Sequence, residues 1–302
     1  MIYQIAINSI IFCNFRYIVK LHSNHTIMKK ILVPIDFSKQ SEYASKMANR
    51  IAKKSNSSVY LLHLIELPSG IVDMGAGSNF SIPESMLYLR KVKEQIINFK
   101  DSYFDKNLDI KYAIKFQNPY EGIQKYGDKI GADLIVMGSK GHSDFEEILI
   151  GSNTEKVVRT SKRPVIVVKK DESKFKARDL VFASSFKDEN KEAFREFLNF
   201  AHQFKSKIHL LKVNTPSKFE STQIAKKNIK NFIADYALPK HSINIYSDTT
   251  IEKGILNFSR DINADLIALS THGRSGLSHL FNGSVTKNLS KNAVKPMLTF
   301  KI

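Results

Sequence analysis

A single cysteine, Cys13, stands in the 302 residues. That excludes a disulfide framework and a cysteine-based zinc site, and it points to a reducing compartment, the cytoplasm. Glycine (13) and proline (8) are too scarce for a fibrous or low-complexity chain. No apolar run reaches the roughly 18 residues of a membrane-spanning helix, so no membrane partner is expected. Acidic side chains are outnumbered, 29 Asp+Glu against 46 Lys+Arg, giving a net charge of +17. Such a balance invites a nucleic-acid reading. The excess is spread along the chain, however: +2 over 1–27, +7 over 28–170 and +8 over 171–302. With no basic block, it reads as a solvated lysine-rich surface, and nucleic acid is not an expected partner.

What is present suggests two domains of ordinary globular composition, 42% hydrophobic and 25% charged. Ala132-Asp133-Leu134-Ile135 recurs 132 residues later as Ala264-Asp265-Leu266-Ile267. The same offset takes Gly122 to Gly254, Gly141 to Gly273, Gly151-Ser152 to Gly283-Ser284, and Pro164 to Pro296. Near the start of each half, Leu32-Val33 matches Leu180-Val181 at an offset of 148. The first half therefore carries about 16 extra residues, best placed at Pro68–Pro83, which lacks any period and reads as a loop or lid. The expected organisation is an extension over 1–27, a first domain over 28–170 and a second over 176–302. Residues 1–27 are apolar first and charged later, the reverse of a secretory signal. The simplest reading starts translation at Met28, with a membrane-surface anchor as the alternative.

Each half alternates buried β-type runs with helical patterns. In the first half the runs fall at 31–36, 59–65, 110–116, 133–138 and 164–168, and the second half repeats them. The expected fold class is α/β: two repeated open parallel five-stranded sheets with helices on both faces, because right-handed crossovers place them there. Such sheets take ligands at the carboxyl ends of their strands. At the end of the fourth run stands Gly138-Ser139-Lys140-Gly141, followed after nine residues by Gly151-Ser152 at a helix start. Glycines there let the backbone approach a ligand, and a helix start offers N–H groups and a positive dipole end to an anion. Ser152 can cap that helix or meet a phosphate oxygen. Asp36 closes the first run at the same edge and could accept from a ribose or an adenine amine.

Lys30–Ser38, Leu61-Leu62-His63-Leu64, Ala132–Gly138, Gly141, Gly151-Ser152 and Arg163–Val168 together resemble the universal stress protein family. The likeness spans nearly all of 28–170 and, more loosely, 178–302. It implies a Rossmann-like, adenine nucleotide alpha hydrolase-like fold. It also implies membership of the branch that binds ATP, with Mg²⁺ or Mn²⁺ as companion. By resemblance, Pro34, Asp36 and Leu64 line an adenosine pocket, while Gly138, Gly141, Gly151 and Ser152 hold ribose and phosphates. It implies a stress-response regulator whose two halves form an intrachain pseudo-dimer, Val165–Val168 running antiparallel to Met297–Phe300. Homodimerisation of the whole chain is left open.

The second half departs from the pattern: Ser184 is set opposite Asp36, Phe182 opposite Pro34 and Ser270 opposite Gly138. One nucleotide, in the first half, is expected. No G-x-x-x-x-G-K-(S/T) is present, and Lys140-Gly141-His142 does not match the H-x-G-H of related nucleotidyl-transferring folds. His63 reads as a core residue bonded to backbone. Nothing in the sequence pairs a nucleophile with a base and an orienting group. A ligand-free interaction scaffold and a weak ATPase remain as alternatives.

Overall fold

A computed structural model describes residues 28–66, 82–139, 151–172, 174–271 and 295–301. The expectations for 1–27, Gly141, His142, Gly273, Gly283 and Ser284 lie outside these residues, as does most of Pro68–Pro83. The last two residues of that segment open a helix instead.

In the first half the order is β1 (Lys30–Ile35), α1 (Lys39–Ser55), β2 (Ser58–Ile65), α2 (Ile82–Tyr103), β3 (Ile110–Phe116), α3 (Pro119–Ile130), β4 (Leu134–Gly138), α4 (Ser152–Thr160) and β5 (Val165–Val168). The second half has β6 (Asp179–Ala183), a 3₁₀ turn (Asp188–Asn190), α5 (Lys191–Phe204), β7 (Lys207–Asn214), α6 (Thr222–Ile233), β8 (His241–Ser247), α7 (Ile251–Asp261), β9 (Leu266–Thr271) and β10 (Met297–Lys301). Local chemistry sets the boundaries. Ser38 caps α1 by accepting from Ser41 N at 3.3 Å, and Asn56 ends it in the left-handed region at φ 53°. Pro119 occupies the first turn of α3 behind the cap Asn118, and Gly131 closes that helix at φ 62°.

The strands form one ten-stranded sheet in the order β3-β2-β1-β4-β5-β10-β9-β6-β7-β8. Within each half every pair is parallel. The halves join through one antiparallel pair, with Met297 opposite Val167 and Thr299 opposite Val165. The two expected five-stranded sheets are thus continuous, and the junction leaves neither β5 nor β10 as an open edge. One apolar layer runs across both halves, including Ile31, Val33, Met47, Phe182, Phe194 and Phe300. The opposite face buries a second layer, including Leu32, Leu62, Ile135, Val181 and Leu269. Faces buried on both sides explain the nearly unbroken apolar strands.

The ladders correct one alignment. Ile31 lies opposite Leu134 on β4, and Leu180 lies opposite Leu266 on β9. Ile31 therefore corresponds to Leu180, an offset of 149 rather than 148. Side-chain faces agree: Val33 and Phe182 share one apolar layer, Leu32 and Val181 the other. A slip of one residue would send every side chain to the wrong face. Asp36 is consequently matched by Ser185 and Pro34 by Ala183.

The halves also meet about a local two-fold at the ends of α1 and α5. Lys54 Nζ donates to Phe204 O at 3.3 Å, and Gln203 Nε2 donates to Ser55 O at 3.5 Å. Each contact is the other's counterpart under the 149-residue offset, as an isologous interface requires.

Candidate functional site

β1 lies between β2 and β4, so the chain reverses its lateral direction beside β1, at the switch point where doubly wound sheets open a crevice. Asp36 follows β1 directly and is exposed. Its Oδ1 accepts from Ser38 N at 3.0 Å, and Phe37 takes φ 62° to turn the chain into α1. Oδ2 of Asp36 takes no hydrogen bond among the described residues.

Gly138 ends β4. A Cβ there would stand 2.7 Å from Gln40 Cβ and 2.8 Å from the Gln40 carbonyl carbon. The glycine is thus required by the first turn of α1, a packing reason that stands beside the expected approach of a ligand. The start of α4 is pinned to the same strand end. Gly151 N donates to Ser139 O at 2.7 Å, Ser139 N to Val168 O at 2.9 Å, and Thr154 Oγ1 to Gly138 O at 2.9 Å. Gly151, not Ser152, is the N-cap, and it supplies no side-chain hydrogen bond to the first turn. That corrects the capping role given to Ser152, which is the first helical residue. A bare helix start is the arrangement an external anion can cap.

Six of the seven expected site residues, Pro34, Asp36, Leu64, Gly138, Gly151 and Ser152, line one cavity of about 490 Å³. The seventh, Gly141, is outside the described residues. Glu66, Thr154 and Met137 are among the lining residues that the sequence did not point to. Glu66, beyond β2 at the same edge, accepts from Asn118 Nδ2 at 3.0 Å. Thr154 ties α4 to β4, and Met137 adds apolar wall. The position of Glu66 at a strand end was a usable signal; that of Thr154 needed the three-dimensional turn. Leu64 also seats α3, because a Cβ on Gly122 would overlap its Cδ2 atom.

The matching edge of the second half satisfies itself. Ser270 Oγ donates to Asn190 Oδ1, and Asn190 Nδ2 donates to Ser185 Oγ at 3.1 Å. Ser270 can carry a Cβ because a 3₁₀ turn stands where α1 begins in the first half. The acceptor that Asp36 leaves open is thus replaced by a hydroxyl engaged with its neighbour.

His63 bonds backbone as expected, Nδ1 lying 2.9 Å from Ile35 O, though it is half-buried against Phe37. A Ser–His–Asp chain that the sequence did not reveal lies in the second half. Ser242 Oγ is 2.9 Å from His209 Nδ1, and His209 Nε2 is 2.9 Å from Asp179 Oδ1. It does not line the strand-edge cavity. His209 is buried on β7, and its two neighbours satisfy both ring nitrogens.

The sequence profile of the universal stress protein family matches the chain twice, over residues 28–169 and 177–301. The chain belongs to the universal stress protein family. This universal stress protein has single-length relatives that each span about half of it. One from Methanocaldococcus jannaschii is 35% identical over 161 residues, 48% of this chain and 97% of that protein. A second from that organism is 31% identical over 150 residues, 50% of this chain and 87% of its own. The solved structure of a universal stress protein from Archaeoglobus fulgidus covers 92% of this chain and 98% of its own, with TM-score 0.66 and 22% identity. That likeness carries the fold across both halves. Among the described residues no helix is long and apolar enough to cross a membrane.

Proposed function

We propose that this universal stress protein binds one adenine nucleotide, ATP, at the strand edge of its first half, and that occupancy makes it a cytoplasmic stress-response regulator. The observation that carries the reading is convergence. Residues from β1, β2, β4 and the start of α4 meet on one cavity whose volume, about 490 Å³, is that of a small-molecule site.

The residues suit the ligand. Pro34, Leu64 and Met137 offer apolar walls to a purine. Asp36 offers a free carboxylate oxygen to a ribose hydroxyl or an exocyclic amine. Gly151 and Ser152 present an uncapped helix start to phosphate, where backbone N–H groups and the dipole favour negative charge. Gly141 would complete the phosphate side, and Mg²⁺ or Mn²⁺ would accompany the phosphates. Among the described lining residues none is arranged as a base beside a nucleophile, and the reading rests on binding alone.

Small molecules that co-purify with the protein, identified by mass spectrometry, test this. Adenine nucleotide at up to one equivalent per chain supports it. Protein that purifies empty and does not take up added ATP contradicts it and favours a ligand-free scaffold.

A further inference from the structure

A second cavity, of about 540 Å³, opens away from the strand edge, where the end of α1 meets the segment entering β6 and the end of α5. It is lined by five cations: Arg50, Lys53 and Lys54 from α1, and Lys176 and Arg178 from the connecting segment. All five are exposed. The charge that the sequence spreads evenly is here drawn together from two distant stretches. Lys54 is engaged with Phe204 O, and Lys53 pairs with Asp105 at 2.5 Å. Among the described residues, the Arg50, Lys176 and Arg178 side chains have no hydrogen-bond or ion-pair partner.

The fold supplies its own control. The local two-fold places Asn199, His202 and Gln203 on α5 where Arg50, Lys53 and Lys54 stand on α1. The same helix end therefore forms the same interface without a cluster of fixed cations. Favourable interaction with the helix dipole accounts for Lys53 and Lys54, which lie in the last turn. It does not account for Arg50, which sits three and four residues before them and repels both. Nor does it account for Lys176 and Arg178, which are on no helix.

We propose that this groove is a binding site for a compact, multiply phosphorylated small molecule. Cations lining one concavity focus its potential on a polyanion, and guanidinium groups grip phosphate through paired donors. The floor argues for the class of ligand. The Phe175 and Phe204 rings are only 6% and 3% exposed, so they offer no face on which nucleic-acid bases could stack. One helix serves both sites: Ser41 at the start of α1 lines the strand-edge cavity and Lys53 near its end lines the groove, roughly 18 Å apart along the helix axis.

Titration calorimetry with inorganic tripolyphosphate tests this on the full chain. The Arg50→Gln/Lys176→Gln/Arg178→Gln protein should lose a binding event present in the wild type, weakened by a factor of about 30 or more. Gly151→Val, which alters only the strand edge, should retain that event. Because all three groove residues are exposed, an unchanged thermal midpoint should accompany the loss; Lys176→Glu alone gives a second reading with one change. Equal binding in the triple variant, no binding in the wild type, or loss in Gly151→Val with retention in the triple variant would overturn the proposal. So would a single-stranded oligonucleotide that binds through the same three residues more tightly than tripolyphosphate.

Discussion

Asp36 and Gly138 stand at the same strand edge and act differently. One Asp36 oxygen holds the turn at Ser38 N, and among the described residues the other takes no hydrogen bond, which suits the proposed role in binding. Replacement of Asp36 by Ala removes the exposed turn bond but no buried packing, so the chain should still fold while ATP weakens by about 1–3 kcal/mol, roughly 5- to 150-fold, read by calorimetry. Gly138 holds the fold. Gly138→Ala forces a Cβ onto the Gln40 backbone and should lower unfolding free energy by about 1–3 kcal/mol in denaturant titration. Unchanged stability would remove the packing explanation. Lys169, just beyond β5, gives a pH test. Burial pushes its pKa down from 10.5 to about 8. Below about pH 8 both states hold the proton, and the folded state bears the cost of partly desolvating the charge. Between 8 and 10.5 the unfolded chain holds a proton that the folded one releases, so stability rises with pH across that window. Relative to Lys169→Met, the wild type should gain about 2–3 kcal/mol on going from pH 7 to above 10. A flat difference would contradict the burial account.

At the scale of elements, the alternation of strands and helices was legible because parallel strands buried on both faces leave apolar runs that little else imitates. The strand-edge residues were legible for the same reason: Asp36, Gly138 and Gly151 each punctuate a run. What failed was register. The identical pair Leu-Val in both halves drew the alignment to 148, whereas the ladders and the two apolar faces require 149. Identity at two positions carries less information than which face each residue must bury. The closed Ser185–Asn190–Ser270 chain and the basic groove were illegible because their members are 80 or more residues apart at the widest. The seat of α3 on β2 gives an element-scale prediction. Gly122→Val would drive a branched side chain into Leu64 and should both lower the thermal midpoint and displace the Leu64 wall of the strand-edge cavity. A variant with wild-type stability would show that α3 can shift freely.

For the whole molecule, the antiparallel β5–β10 pair makes two repeats into one sheet and carries an apolar layer across the junction. Unfolding should therefore be a single cooperative transition by calorimetry; two resolved transitions would show the halves to be independent. Among the described residues the repeated backbones carry unlike strand edges, and under the proposed function that difference makes the molecule asymmetric in nucleotide binding. ATP titration by isothermal calorimetry tests that claim most directly, on wild type, Asp36→Ala, Gly151→Val and Ser185→Ala. The account predicts one strand-edge site per chain, weakened in Asp36→Ala, lost in Gly151→Val and unchanged in Ser185→Ala, with any weaker binding that persists in Gly151→Val belonging to the basic groove. Two equivalent sites in the wild type, or full affinity in Asp36→Ala, would contradict it.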